Sequence, residues 1–371
     1  MNKKQFEVYF DCGSSKIRAG AFNKENLENN FCFESNFFHD HSNIKDEIQK
    51  NVSFLEKKTN EYLNDIVLMI DSSKMISIGI SIIKKLDGSK LRKEDVQFLI
   101  QNAKQQVLSN HSHQNIIHII IKKYKVDNID YLSLPNDIKC KIISMDILFI
   151  CLPKSTVEYF KKQFFKFDIS IKQIFCSSYA KSINYKDNFL SIENIFFIDI
   201  GFNKTSITCF SKNEIIFLDV LPIGGNHITK DISKILNVNL KEAENLKLFF
   251  DKKKDIFSKT KFNNDLLQKV ILARIEEILD LSVKSIKLNL DLEKIDHYKM
   301  ILMGEGSKIL DNELKDKIAF SNDIDLLDES NEDIIQSAHK LNSGGNKQEV
   351  VTIPKKQINK GFFEKLFHLF R

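Results

Sequence analysis

The sequence predicts an α/β protein of two similar halves that face one another across a cleft. The run from Glu7 to Phe22 has the pattern of a strand, an aspartate, a turn of small polar residues and a second strand. The same layout returns from Ile195, and amphipathic helices follow each hairpin. Because the layout is duplicated, we expect the two aspartate-led turns to face each other.

Length and composition agree with such a fold. The chain has 371 residues, of which 42% are hydrophobic and 28% charged, so it is long enough for two or three domains and is neither disordered nor membrane-embedded. It contains no uncharged apolar stretch of about 18 residues and no apolar signal segment at its start. The six cysteines lack the paired spacing of zinc or redox sites. We therefore expect a cytoplasmic protein without a spanning helix.

Positive charge is concentrated at the end of the chain. The net charge is +5, and residues 343–371 alone carry five lysines and one arginine against two glutamates. A basic surface for nucleic acid is therefore not expected, whereas the end of the chain suits an anionic surface.

The first half contains, after its hairpin, a predicted helix over Ser42–Asn64 and a predicted strand over Asp65–Ile70. From Ser77 to Phe167 helices alternate with apolar strands, and we interpret this stretch as an inserted α+β subdomain. Its predicted elements are the helices Arg92–Ser109 and Lys154–Phe167 and the strands Ile116–Ile121 and Ile142–Leu152.

The second half continues from its hairpin into two long amphipathic helices, His227–Leu248 and Asp265–Leu290. A short strand, Met300–Met303, precedes a glycine-containing turn, and Asp333–Leu341 is the last helix before the tail. Residues 343–359 are polar and lack periodicity, so we expect a flexible linker.

Three glycine-containing turns are candidates for nucleotide contact. The run DCGSSK, from Asp11 to Lys16, offers backbone N–H groups, two hydroxyls and an ammonium, a set that suits a phosphate chain. The run from Asp199 to Thr205 is a second such turn, and Gly304-Glu305-Gly306-Ser307 would let a nucleoside approach the backbone. Any one of them alone is usually an ordinary turn, so the prediction rests on the three occurring in this order.

The order of these turns resembles the actin-like ATPase superfamily, and the chain is similar in more detail to the FtsA family of bacterial cell-division proteins. The resemblance extends over essentially the whole chain. It is strongest in LPIGGNHITKDIS (Leu221–Ser233), KEAENLK (Lys241–Lys247), ILARIEEILDL (Ile271–Leu281), ILMGEGSKI (Ile301–Ile309) and the Phe-rich terminus.

The resemblance implies an actin-like fold of two lobes, each an RNase H-like half, with a small inserted α+β subdomain and a C-terminal amphipathic helix. The implied boundaries are residues 1–76 and 168–193 for the first lobe, 77–167 for the inserted subdomain and 194–342 for the second lobe, whose residues 230–299 form a small partner-binding part. Residues 343–359 and 360–371 are the linker and the helix.

The resemblance also implies an ATP site with Mg²⁺, without identifying a catalytic base. The implied residues are Asp11, Gly13, Ser14, Ser15 and Lys16 in the first phosphate loop, Asp199, Gly201 and Thr205 in the second, Gly224 and Gly225 beside the phosphates, Glu244 and Lys247 at the ribose, and Gly304, Gly306 and Ser307 at the adenosine. Asp11 and Asp199 would hold Mg²⁺ through water.

Two departures from the family's pattern bear on hydrolysis. Phe202 and Asn203 stand where the family usually has glycines, and Glu305 replaces the second glycine of the adenosine turn. The Cβ atoms and bulk of Phe202 and Asn203 hinder close approach of the backbone to phosphate. We therefore expect ATP binding with weak or absent hydrolysis.

The resemblance further implies several partners. These are the C-terminal peptide of the tubulin-like protein FtsZ, other copies of the chain in actin-like filaments, and later division proteins. Arg274 and Glu277 lie three residues apart on one helix face, and the arginine could pair with carboxylates of the peptide. A solvated ion pair within the helix is the alternative, and it stays open.

The last residues of the chain separate into two helical faces. At about 100° per residue the apolar arc consists of Phe362, Phe363, Leu366, Phe367, Leu369 and Phe370, and the charged residues fall on the opposite arc. So short a helix needs a surface on which to fold, and the neighbouring lysines suit anionic lipid. We expect peripheral attachment to the cytoplasmic face of the inner membrane at the division site, with packing on the protein's own core as the alternative.

Taken together, these expectations describe an actin-like ATP-binding protein that anchors FtsZ filaments to the cytoplasmic membrane and helps assemble the division machinery. A small-molecule kinase of the same superfamily is one alternative. A pilus- or secretion-assembly ATPase of the FtsA-like branch is another.

Overall fold

The computed structural model describes residues 5–25, 30–36, 44–135, 138–250, 264–291, 297–310, 315–316 and 323–344. Its named strands form two sheets of five strands and one of four. The predicted helix of residues 360–371, with its six apolar residues, lies outside the described residues. No helix in the described ranges is long and apolar enough to cross a membrane.

The first sheet comprises β1 (Phe6–Cys12), β2 (Lys16–Asn23), β3 (Asn30–Asn36), β4 (Asp65–Ile70) and β9 (Ser170–Cys176). Their order is β3-β2-β1-β4-β9, in which the β1–β2 hairpin is antiparallel and β4 and β9 run parallel to β1. The sequence pattern does not predict β3, since this edge strand mixes asparagine and glutamate with phenylalanine and buries only Ser35.

The second sheet repeats this topology. It comprises β10 (Asn194–Ile200), β11 (Thr205–Ser211), β12 (Glu214–Leu221), β13 (Lys299–Met303) and β14 (Ile324–Leu326), in the order β12-β11-β10-β13-β14. Again an antiparallel hairpin pairs with parallel strands. The predicted duplication is therefore confirmed.

The third sheet belongs to the inserted stretch. Its strands are β5 (Ile76–Lys85), β6 (Gln114–Val126), β7 (Ile129–Tyr131) and β8 (Ile142–Pro153), in the order β5-β8-β6-β7. Helix α2 (Lys93–Asn110) buries Leu99 and Ala103 against this sheet. Helix α3 (Lys154–Phe165) packs elsewhere, because its Phe164 is buried edge-on against Phe10 in the core of the first sheet.

Helices of the second half cover one face of the second sheet. They are α5 (Gly225–Leu236), α6 (Leu240–Phe249) and α7 (Asn264–Asn289). The single helix predicted over His227–Leu248 is two helices, because Asn237 ends α5 in a left-handed conformation with φ of +53°. The side chain of Asn239 then caps α6 by accepting from the Glu242 N–H.

The remaining helices surround the first sheet. They are α1 (Ile44–Thr59), α4 (Ser177–Tyr185) and α8 (Asn331–Asn342). Helix α8 falls within the residues predicted for the second lobe, yet its buried Ile334, Ile335 and Ala338 belong to the core of the first sheet. The chain therefore returns to the first sheet after completing the second.

Candidate functional site

The two aspartate-led turns face one cleft between the first and second sheets. Two adjoining cavities occupy this cleft, and both are lined by Ser15 and Lys16 from the first turn and by Gly201 and Phe202 from the second. Glu305, from the third glycine-containing turn, also lines both. The three predicted turns are therefore brought together.

The two turns have the same backbone closure. The Gly13 N–H donates to the Lys16 carbonyl at 2.9 Å, and the Gly201 N–H donates to the Lys204 carbonyl at 2.9 Å. Each turn thus reads Asp-x-Gly-x-x-Lys. Lys204 is not among the residues predicted above, although its spacing from Asp199 repeats that of Lys16 from Asp11.

Most of the predicted nucleotide residues line the cleft. Those on the first cavity are Asp11, Gly13, Ser14, Ser15, Lys16, Asp199, Gly201 and Gly304, and those on the second include Gly225, Glu244, Lys247 and Gly306. The other three predicted residues line neither cavity and instead contact the backbone of neighbouring residues. The Thr205 hydroxyl donates to the Ile223 carbonyl at 2.8 Å, the Ser307 hydroxyl donates to the Gly304 carbonyl at 2.8 Å, and Gly224 packs on the second turn.

Two of the glycines are required by close approach. A Cβ at Gly304, which has φ of +88°, would lie 2.2 Å from Oδ1 of Asp199. A Cβ at Gly224 would lie 2.5 Å from the Gly201 carbonyl oxygen. Both separations are far below van der Waals contact, so these glycines let neighbouring turns close on Asp199 and Gly201.

Asp11 is neutralised within the first half. Its Oδ2 lies 3.2 Å from the Arg18 guanidinium, and its Oδ1 accepts a 2.8 Å hydrogen bond from the Ser177 hydroxyl. Arg18 is buried and lies opposite Asp11 in the β1–β2 register. Each carboxylate oxygen of Asp11 therefore has a polar partner.

Asp199 is neutralised by a lysine from α4. The Lys181 ammonium lies 2.5 Å from Oδ2 of Asp199 and 3.2 Å from Oε2 of Glu329, which also accepts the Gly304 N–H at 2.8 Å. Burial alone would lower the pKa of Lys181, but the carboxylates of Asp199 and Glu329 outweigh it and raise this pKa well above its usual value. Burial raises the pKa of Glu329.

Glu305 bridges the cleft. Its carboxylate lies 3.2 Å from the Lys16 ammonium and 3.0 Å from the Arg18 guanidinium, so the second half is joined to the first hairpin by ion pairs. Burial would raise the pKa of Glu305, but Lys16 and Arg18 lower it. The residue that replaces the second glycine of the adenosine turn is thus an ion-pair partner of the first phosphate loop.

The second cavity contains a buried polar cluster. The Lys247 ammonium donates to Glu244 at 2.7 Å, to the Thr229 hydroxyl at 2.8 Å and to the Gly225 carbonyl at 3.2 Å. Burial lowers the pKa of Lys247. The Phe202 ring centre lies 5.7 Å from the same ammonium. Thr229 is not among the predicted residues, because a lone threonine inside a helix pattern carries no local signal.

The residues present do not fit a Mg²⁺ ion held by Asp11 and Asp199. Each carboxylate already pairs with a buried cation, Arg18 or Lys181. Within the described ranges no three histidine, cysteine, aspartate or glutamate side chains converge as a metal site. The predicted Mg²⁺ contact is therefore not supported by this geometry.

Comparison with known proteins identifies the sequence relatives. The family model described as cell division protein FtsA matches residues 196–267. FtsA of Bacillus subtilis (strain 168) is 27% identical over 222 residues, which cover 53% of this chain and 47% of that protein. The chain is similar to FtsA. FtsA of Buchnera aphidicola subsp. Schizaphis graminum is 24% identical over 223 residues, covering 60% of this chain and 53% of that protein. The chain thus spans about half the length of the curated FtsA proteins it matches.

Solved structures show the same fold. The PilM–PilN type IV pilus biogenesis complex matches with a TM-score of 0.60 at 11% identity, over 90% of each chain. MreB5 of Spiroplasma citri bound to ADP matches with a TM-score of 0.52 at 12% identity, over 91% of this chain and 96% of that one. At such identities the likeness shows the fold alone, and the predicted actin-like fold is confirmed.

The predicted partner residues of this FtsA-like chain lie on α7. Arg274 contacts Glu277 within the helix, and its guanidinium also lies 2.6 Å from the Asp231 carboxylate on α5. The arginine side chain is a quarter exposed. The predicted helix ion pair is present, and Asp231 is a further partner that spacing along the sequence could not indicate.

Proposed function

We propose that the protein is an actin-like, ATP-binding cell-division protein that links FtsZ filaments to the cytoplasmic membrane. The observation that carries the proposal is the pair of Asp-x-Gly-x-x-Lys turns on one cleft, in a chain whose curated relatives are FtsA proteins. The alternatives, a small-molecule kinase and a pilus- or secretion-assembly ATPase, share the fold but would not bind FtsZ.

The nucleotide would lie along the two cavities. Its phosphates would meet the first cavity, which four basic side chains line: Lys16, Arg18, Lys181 and Lys204. Its nucleoside would occupy the second cavity, beside the Gly225 and Gly306 backbones and the Glu244–Lys247 pair. Phe202 lies between the two cavities, where its ring limits how closely phosphate can approach the second turn.

Hydrolysis would be weak or absent. Two carboxylates that line the first cavity, Asp11 and Asp199, are each paired with a buried cation and are poorly placed to take a proton from water. The nucleotide would thus set the conformation of the two lobes rather than be consumed rapidly.

Partners would bind away from the cleft. The FtsZ C-terminal peptide would contact α7 at Arg274 and Glu277, and its carboxylates would compete with Asp231 for the guanidinium. Copies of the chain would assemble into actin-like filaments, and later division proteins would use the inserted subdomain.

Membrane attachment would come from residues 360–371, on the cytoplasmic face of the inner membrane. Replacing Leu366 and Phe370 by glutamate places two charges on the apolar arc, so co-sedimentation with anionic liposomes should fall to background. Unchanged sedimentation of this double variant would exclude the tail as the attachment site.

Fluorescence anisotropy with a labelled FtsZ C-terminal peptide tests the proposed function. The wild-type chain should bind the peptide, and Arg274→Glu should weaken binding by about tenfold or more, because it reverses a charge in a charge-assisted contact. Lys269→Glu is the matched control, since it makes the same charge change at an exposed position of α7. Absence of binding by the wild type would contradict the FtsZ link, and equal losses in both variants would contradict the Arg274 contact.

A further inference from the structure

We infer that the Lys181 ammonium takes the place of a divalent cation in this cleft, so that a nucleoside polyphosphate binds without Mg²⁺. The inference rests on the proposed nucleotide binding and adds the cation requirement of that site.

The position of Lys181 carries the inference. Its side chain is 6% exposed, lines the same cavity as both turns, and lies 2.5 Å from Asp199 and 3.2 Å from Glu329. A divalent cation at Asp199 would meet this ammonium at close range, and like charges at such a distance repel strongly in a poorly solvated site. The lysine therefore excludes the metal from the carboxylate that was expected to hold it.

The backbone around Lys181 fixes it in place. Helix α4 begins at Ser177, and the Ser178 N–H donates to the Asp71 carboxylate at 3.1 Å. The Ser177 hydroxyl donates to Asp11. The first turn of α4 is thus tied to both β1 and the end of β4, and Lys181 follows one turn later.

Asp11, the other carboxylate expected to hold the metal, also has partners of its own. Arg18 and Ser177 occupy the two oxygens of Asp11, and Arg18 is itself buried. A metal ion that displaced Arg18 from Asp11 would break a buried ion pair, a change that is strongly unfavourable. At Asp199 the ion would approach the ammonium that holds Oδ2.

Lys181 can serve a phosphate directly. An ammonium has three N–H donors, and among the described residues Asp199 and Glu329 take two of them. The third can donate to a phosphate oxygen in the cavity while the ion pairs persist. Lysine is an ordinary phosphate ligand that acts as a point charge, which is the role that a bridging metal would otherwise have.

Isothermal titration of ATP into the full chain, in excess Mg²⁺ and in excess EDTA, tests the inference. The wild-type chain should bind ATP in EDTA at least as tightly as in Mg²⁺, because in excess Mg²⁺ most ATP is the Mg²⁺ complex and must release the ion before it binds. Binding only in Mg²⁺ would overturn the inference while leaving the proposed function standing. Absence of ATP binding in both buffers would instead overturn the proposed function.

The Lys181→Met variant tests whether Lys181 itself contributes to ATP binding without Mg²⁺. Lys181→Met should weaken ATP binding in EDTA by about tenfold or more, the equivalent of one charge-assisted hydrogen bond, and Mg²⁺ should restore much of it because Asp199 is freed. Lys212→Met, at an exposed lysine of the second half, is the control and should behave as wild type. Equal affinity of Lys181→Met and wild type in EDTA would overturn the role of Lys181. Should Lys181→Met fail to fold, the wild-type comparison of the two buffers still decides.

Discussion

The turn between β1 and β2 and the turn between β10 and β11 share one sequence pattern and one backbone hydrogen bond, but they acquire their counterions differently. Asp11 pairs with Arg18, its opposite in the same hairpin. Asp199 lies opposite Ser206, which carries no charge, and pairs with Lys181 from α4. The first turn is therefore neutralised locally, whereas the second depends on a helix of the other half.

The second turn also makes contacts that join the two halves across the cleft. Lys204 of the second turn donates to the Asp71 carbonyl at the end of β4, and the Ser206 hydroxyl donates to the Asp71 carboxylate at 3.2 Å. With Lys181–Asp199 and Glu305–Lys16, these contacts cross from one half to the other. Polar and charged contacts in the cleft thus join the two lobes, and replacing the residues that make them tests how far the two turns differ.

The largest effect is expected from Lys181→Met. Removing this ammonium leaves Asp199 and Glu329 buried without a cation, and breaking a buried pair in this way costs about 3–5 kcal/mol. Urea denaturation should show that loss in the free energy of unfolding. Lys172→Met, which removes an exposed pair with Asp65, should cost less than about 1 kcal/mol. Similar losses in the two variants would show that the second turn does not depend on α4.

A smaller but specific effect is expected from Gly304→Ala. The new Cβ would lie against Asp199 at a positive φ, so the second turn must shift, at a cost of roughly 2 kcal/mol or more. Gly79→Ala is the matched control, because nothing lies within 4 Å of its added Cβ. Thermal unfolding of both variants measures the difference, and a Gly304→Ala protein as stable as the control would contradict the close approach.

Glu305→Gln should have the smallest effect on stability, about 1 kcal/mol at pH 7, because a third of the glutamate side chain is exposed. The pKa of Glu305 is lowered in the folded state, so its contribution is present above the unfolded pKa of about 4.3 and is lost as the pH falls through the folded value. The difference between wild type and variant should therefore fade below about pH 4. A difference that persists at low pH would show that the ion pairs are not its cause.

The sequence predicts features that depend on neighbouring residues, but it does not predict contacts between residues far apart in the chain. The hairpins, the glycine turns and the duplication follow from short patterns, and all three turns lie on the cleft. Lys181 and Glu329 carry no motif, and they are 148 residues apart, so only the fold reveals that they meet. The return of α8 to the first sheet is also invisible to periodicity, which shows that a helix has an apolar face but not which sheet that face covers.

We expect both turns to bind one nucleotide. Hydrogen exchange of the full chain, measured by mass spectrometry with and without ATP, tests it most directly, since bound phosphate should protect the backbone N–H groups that face it. We expect slower exchange in peptides covering residues 11–16 and 199–206 together, with peptides of the inserted sheet, such as residues 114–126, unchanged. Protection of neither turn, or of one turn alone, would contradict it.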